Sequence, residues 1–125
     1  MSCYNDKDEY IPDIKVHAFY ETLDQSGVKI PDVGAGVYLY YRVYKDDFAG
    51  YTYQGEGIFI KENSSEIKPD VKHMIDESGS LSFIPEYMNE NATIVIESNY
   101  YKGQFDLTSF SSTMNGAGFY KVFKP

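Results

Sequence analysis

Apolar and polar residues alternate along most of this chain with a period of two, the spacing of a strand that buries one face. Over residues 15–21, Val16, Ala18 and Tyr20 fall on one side and His17, Phe19 and Glu21 on the other. This predicts a first strand closed by the turn Asp24-Gln25-Ser26-Gly27. Over residues 35–44 the same period sets Val37, Leu39, Tyr41 and Val43 against Tyr38, Tyr40, Arg42 and Tyr44. Residues 45–50 form a predicted turn. In 51–62, Ile58 and Ile60 carry the apolar phase, and 63–70, with Asn63, Ser64, Ser65 and Pro69, is a predicted solvated loop. Further strands are predicted at 71–75, 80–84, 92–97, 104–109 and 118–123, and only 86–91 hints at a helical turn. Strands of usual length separated by turn residues predict an all-β fold, an antiparallel β-sandwich of seven to eight strands. Val37, Leu39, Val43, Ile58, Ile60, Leu81, Phe83, Ile94 and Ile96 are its expected core.

Composition supports that picture. The 13 tyrosines and 8 phenylalanines suit strands better than a helical bundle. A length of 125 residues allows one domain with a core of its own. The expected division is a flexible tether over 1–13 and a single sandwich over 14–125. The formal charge of −8 disfavours phosphate backbones, so no nucleic-acid partner is expected. A single cysteine excludes an internal disulfide and a cysteine-rich zinc site. The two histidines, His17 and His73, lack the spacing of a metal pair, so neither metal nor cofactor is expected. No apolar run is long enough to span a bilayer as a helix.

The order of turns carries a resemblance. Gly27-Val28-Lys29-Ile30-Pro31-Asp32-Val33-Gly34-Ala35-Gly36-Val37-Tyr38-Leu39 is similar to the glycine, proline, glycine-alanine and valine-rich strand of transthyretin-like (prealbumin-like) domains, which include carboxypeptidase regulatory-like modules. Ile75-Asp76-Glu77-Ser78-Gly79-Ser80-Leu81-Ser82-Phe83 and Ala92-Thr93-Ile94-Val95-Ile96-Glu97-Ser98-Asn99-Tyr100-Tyr101 resemble later segments in the same order. The chain departs from the pattern in its long 44–72 connection and in Asn99, which stands where glycine is usual. The resemblance implies a prealbumin-like sandwich. The related collagen-binding B-type modules carry a lysine–asparagine crosslink. Lys15 lies in the first predicted strand, but the last offers no Asn or Asp, so no crosslink is expected.

Chemistry is sparse. His17 and His73 are expected as ordinary strand and loop residues rather than as an acid or base. The hydroxyisourate hydrolases of the transthyretin-like group imply a histidine and arginine set, whereas Arg42 is the sole arginine here. Gly55-Glu56-Gly57 and Gly116-Ala117-Gly118 lack the lysine-serine partner of a phosphate loop. Asp76, Glu77, Ser78 and Ser80 lack the ligand spacing of an EF-hand, and a hairpin turn is expected there.

Cys3, followed by the polar Tyr4-Asn5-Asp6-Lys7-Asp8-Glu9, has little packing use in such surroundings. It resembles the mature end of a bacterial lipoprotein, with Ser2 fitting the end of the cleavage box. Lys7, Asp8 and Glu9 resemble the lysine-plus-two-acids signal that directs some of these proteins to the cell surface. The resemblance implies lipid attachment at Cys3 and an outer-membrane, surface-exposed location. The functional expectation is a non-catalytic cell-envelope lipoprotein module that binds a protein or glycan, or that spaces a surface assembly. The alternative is a small hydrolase or a small-ligand transport protein. Tyr38, Tyr40, Arg42 and Tyr44 form the candidate binding face if their row points outward. If the segment 51–72 instead folds across the sheet, Tyr51 and Tyr53 would stack on that row and bury it.

Overall fold

The computed structural model describes residues 13–87, 90–112 and 116–125. Cys3, Lys7, Asp8 and Glu9 lie outside the described residues. The fold is all-β and sandwich-like, with eleven described strands and one turn of 3-10 helix at Lys45–Phe48. The first sheet centres on β1 (Ile14–Tyr20), which pairs in parallel with β11 (Ala117–Phe123). On its other edge β1 pairs antiparallel with β2 (Ile30–Pro31) and β8 (Ser80–Phe83). A second sheet runs in the order β10 (Phe105–Ser112), β9 (Glu90–Glu97), β3 (Gly36–Tyr41), β7 (Val71–Met74), all antiparallel. A third, small sheet is built from β4 (Thr52–Gly55), β5 (Ile58–Ile60) and β6 (Glu66–Ile67). The strand count exceeds the expectation mainly because β2 and β6 are two-residue pairings inside what reads as loop.

Two cores follow from this layering. The main one lies between the first two sheets and contains Ile14, Val16, Ala18, Val37, Leu39, Ala92, Ile94, Ile96 and Phe123, with Leu81 and Phe83 packed at its margin. Their strands contribute alternate residues to it, as the period of two requires. The second core lies on the other face of β3 and β9, under the small sheet: Tyr40, Phe48, Phe59 and Val95, flanked by Tyr38, Val43, Tyr51, Tyr53, Ile67 and Leu107. Phe59 is its hub, with ring centroids 4.7 Å from Phe48, 4.7 Å from Tyr53 and 6.1 Å from Tyr40. The middle strands are thus buried on both faces.

Burial overturns part of the expected core. Phe59 is 4% exposed while Ile60 is 37% exposed and Ile58 is only half-buried, so the phase of β5 is the reverse of the one predicted. The cause is the competition between two apolar faces on one short strand: the larger aromatic side wins the site opposite Tyr40. Val43 belongs to the second core rather than the first. At the connection between β4 and β5, Gly57 takes φ +81°, and a Cβ there would stand 2.8 Å from the Tyr38 ring. Both conditions require glycine.

Candidate functional site

The loops that gather at one end of the sandwich are organised by one carboxylate. Asp32 follows β2 and is 1% exposed. Its amide donates to Ala18 O at 3.0 Å, which fixes it to the end of β1. Its Oδ2 accepts from Ser98 Oγ at 2.6 Å, and its Oδ1 accepts from the amides of Asn99 at 3.1 Å and Tyr100 at 3.0 Å. Ser98 Oγ in turn accepts from the Tyr101 amide at 2.9 Å, and the Tyr101 hydroxyl donates to Glu21 O at 2.7 Å. Asn99 Nδ2 donates to Val33 O at 2.9 Å, and a Cβ on Gly34 would come within 3.0 Å of that same nitrogen. Asn99, at the position where the resemblance leads one to expect glycine, therefore ties two loops together.

Beside this knot lies a cleft of about 490 Å³ lined by Tyr20, Ile30, Pro31, Asp32, Val33, Glu77, Asn99 and Tyr100. Tyr20 and Tyr100 stack face to face, 3.8 Å between centroids and 6° between planes, and Tyr101 meets both edge-on. Tyr100 is nevertheless 51% exposed. The cleft offers an aromatic pair, apolar walls and the Glu77 carboxylate on the turn before β8. Asp32 and Asn99 are already engaged. Such a surface can receive a side chain or ring with an apolar body and a polar tip.

The sequence-based site residues divide. Tyr40 is 0% exposed, its hydroxyl donating to Gly57 O at 2.5 Å, so of the two arrangements open to the row the covered one is found, with the small sheet folded across it. Tyr38 is half-buried, its ring lying against Gly57. After Tyr41 the strand ends, because Arg42 adopts φ 62°. Arg42 leaves the row to pair with Glu90 at 3.2 Å and lie over the Tyr87 ring at 4.4 Å. Tyr44 stays exposed before the 3-10 turn, where its amide donates to Asp47 Oδ2 at 2.8 Å. The four residues are not one face: two belong to the second core and two to the surface.

Under the small sheet the tyrosines converge on Glu97. The Tyr53 hydroxyl donates to Glu97 Oε1 at 2.6 Å and accepts the Gly57 amide at 2.8 Å, while the Glu56 amide donates to the same Oε1 at 3.0 Å. Burial, reinforced by the Glu97 charge, pushes the Tyr38 phenol up to about 12 and holds those of Tyr40 and Tyr53 well above the usual value.

His17 Nδ1 lies 2.9 Å from Ser80 Oγ. The two residues are directly opposite in the β1–β8 register. A groove of about 300 Å³ beside them is lined by Lys15, His17, Asp76, Ser80, Leu81 and Ser82. Asp76 Oδ1 accepts from the Ser78 amide and hydroxyl, which lowers its pKa and holds the carboxylate on its own turn. His73 packs on Phe83 with centroids 4.4 Å apart. No group of three His, Cys, Asp or Glu side chains suited to a metal occurs among the described residues.

Sequence reasoning missed Asp32, Ser98, Tyr20 and Tyr100 as a unit. The available signals were an aspartate inside the apolar run Ile30-Pro31-Asp32-Val33 and the polar-aromatic run Ser98-Asn99-Tyr100-Tyr101 closing a buried strand.

No family model matches this chain, and neither does any curated protein. Among solved structures it is similar to the Bacillus anthracis TIE protein, with 16% identity and a TM-score of 0.44, over 90% of this chain and 17% of that one. The chain thus spans well under two thirds of the structure it matches.

Proposed function

We propose that this chain is a non-catalytic binding module of the cell envelope, with its ligand site at the Asp32-organised loop end. One observation carries the reading: a half-exposed tyrosine is stacked on a second and held over a cleft by loops fastened to one buried carboxylate. Ordering those loops before binding lowers the entropy cost of taking a ligand. A transthyretin-like ancestry belongs to the same proposal, supported by the order of segments 27–39, 75–83 and 92–101. So do lipid attachment at Cys3, export through Lys7, Asp8 and Glu9, and an outer-membrane location. The partner is an envelope protein or a glycan. The test is a binding screen of residues 1–125 against envelope extracts and a panel of surface glycans, repeated with Tyr100→Ala. Capture that Tyr100→Ala abolishes supports the site, whereas capture unaffected by it refutes the placement.

The Ser80–His17 contact supports the second reading, a small hydrolase. Phosphonylation of Ser80 by an active-site fluorophosphonate, with fluoride as the leaving group, would favour it. Failure to label Ser80 while denatured and native protein behave alike would count against it.

A further inference from the structure

We infer that the cleft beside the Tyr20–Tyr100 stack receives a basic side chain, arginine or lysine, presented by a protein partner. The inference rests on the binding-module reading above and specifies the ligand of that site.

Hydrogen-bonding capacity argues for it first. Of the polar side chains lining the cleft, the Asp32 carboxylate already accepts from Ser98, Asn99 and Tyr100, the Asn99 side chain already bonds Val33 O and Lys102, and the Tyr20 and Tyr100 hydroxyls have no hydrogen bond among the described residues. Glu77, exposed on its turn, is left with no hydrogen bond or ion pair among the described residues. The open charged group is therefore an acceptor only. A guanidinium or ammonium group, which supplies donors alone, matches that carboxylate and can also donate to the oxygens of the two phenols.

Shape and charge point the same way. Ile30, Pro31 and Val33 form apolar walls able to cover an aliphatic stem, while Tyr100 lies against Tyr20 on one ring face and is 51% exposed overall. A cation over a tyrosine face is attracted by the ring quadrupole. The formal charge of −8 adds long-range attraction for a basic partner and repels an anionic one.

The probe is a blocked tripeptide with a central arginine, titrated into residues 1–125 and followed by amide chemical shifts. Its isosteric control carries citrulline, which keeps the shape and removes the charge. The expected result is saturable shifts at Glu77, Asn99 and Tyr100 with arginine, weakened by added salt, and an affinity about threefold to fivefold lower for citrulline or for Glu77→Gln. Glu77→Gln changes an exposed turn residue, so its fold is expected intact, and the citrulline control needs no variant at all. Equal binding of arginine and citrulline overturns the inference. Cleft shifts with a neutral linear hexasaccharide but not with the arginine peptide overturn it too, while leaving the binding-module reading in place. Absence of cleft shifts with every probe removes both.

Discussion

Asp32 Oδ2 accepts a 2.6 Å hydrogen bond from Ser98 Oγ across 66 residues of chain, and both groups are buried. Replacing Asp32 by alanine leaves that hydroxyl and the amides of Asn99 and Tyr100 without their acceptor. The expected loss is roughly 2–4 kcal/mol of unfolding free energy in a urea titration. Faster hydrogen exchange at Asn99, Tyr100 and Tyr101 should accompany it. A loss under about 0.5 kcal/mol would mean that water replaces the carboxylate without penalty.

The tyrosines around Glu97 make stability sensitive to alkali. Their folded-state pKa values lie above the ordinary value of 10.0, so each contribution is fully present below about 10 in pH. It is lost as pH rises from there through about 12, the value for Tyr38, and beyond. Tyrosinate absorbance should therefore develop in two stages. The later stage belongs to Tyr38, Tyr40 and Tyr53, which ionise only together with unfolding seen by circular dichroism. The Glu97→Gln variant, with one less charge nearby, should shift the second stage to lower pH. A single titration step at the ordinary tyrosine value would contradict the burial of this group.

The reversed phase of β5 has a direct test. Phe59→Ala should cost roughly 3–5 kcal/mol, since it empties the centre of the second core, whereas Ile60→Ala should cost under about 1 kcal/mol. Comparable losses at both positions would restore the phase expected from the sequence.

Attachment is checked in cells. The full-length protein, expressed with a lipoprotein leader, should fractionate with outer membranes and take up labelled palmitate at Cys3, and Cys3→Ser should release it. Wild-type protein recovered wholly without label would end the lipoprotein proposal.

By itself the sequence determined that the chain is built of strands, where most of them lie, and which face of 92–97 and of 35–41 meets the main core. Those features depend on alternation between neighbours, a local property that survives in any sheet partner. Ile94 and Ile96, Val37 and Leu39 were legible for that reason. Tertiary structure alone decided what lies on the other face. Tyr38 and Tyr40 alternate as well as any outward row would, and their burial came from a sheet formed by residues 52–67, whose placement no local pattern encodes. In β5 both faces are apolar, so only the position of Tyr40 could choose Phe59 over its isoleucine neighbours. The loop-end site is the extreme case: Tyr20 comes from the end of β1, and Asp32 and Tyr100 from separate loops. An aspartate in a turn looks solvated until the folded chain delivers a hydroxyl and two amides to its oxygens.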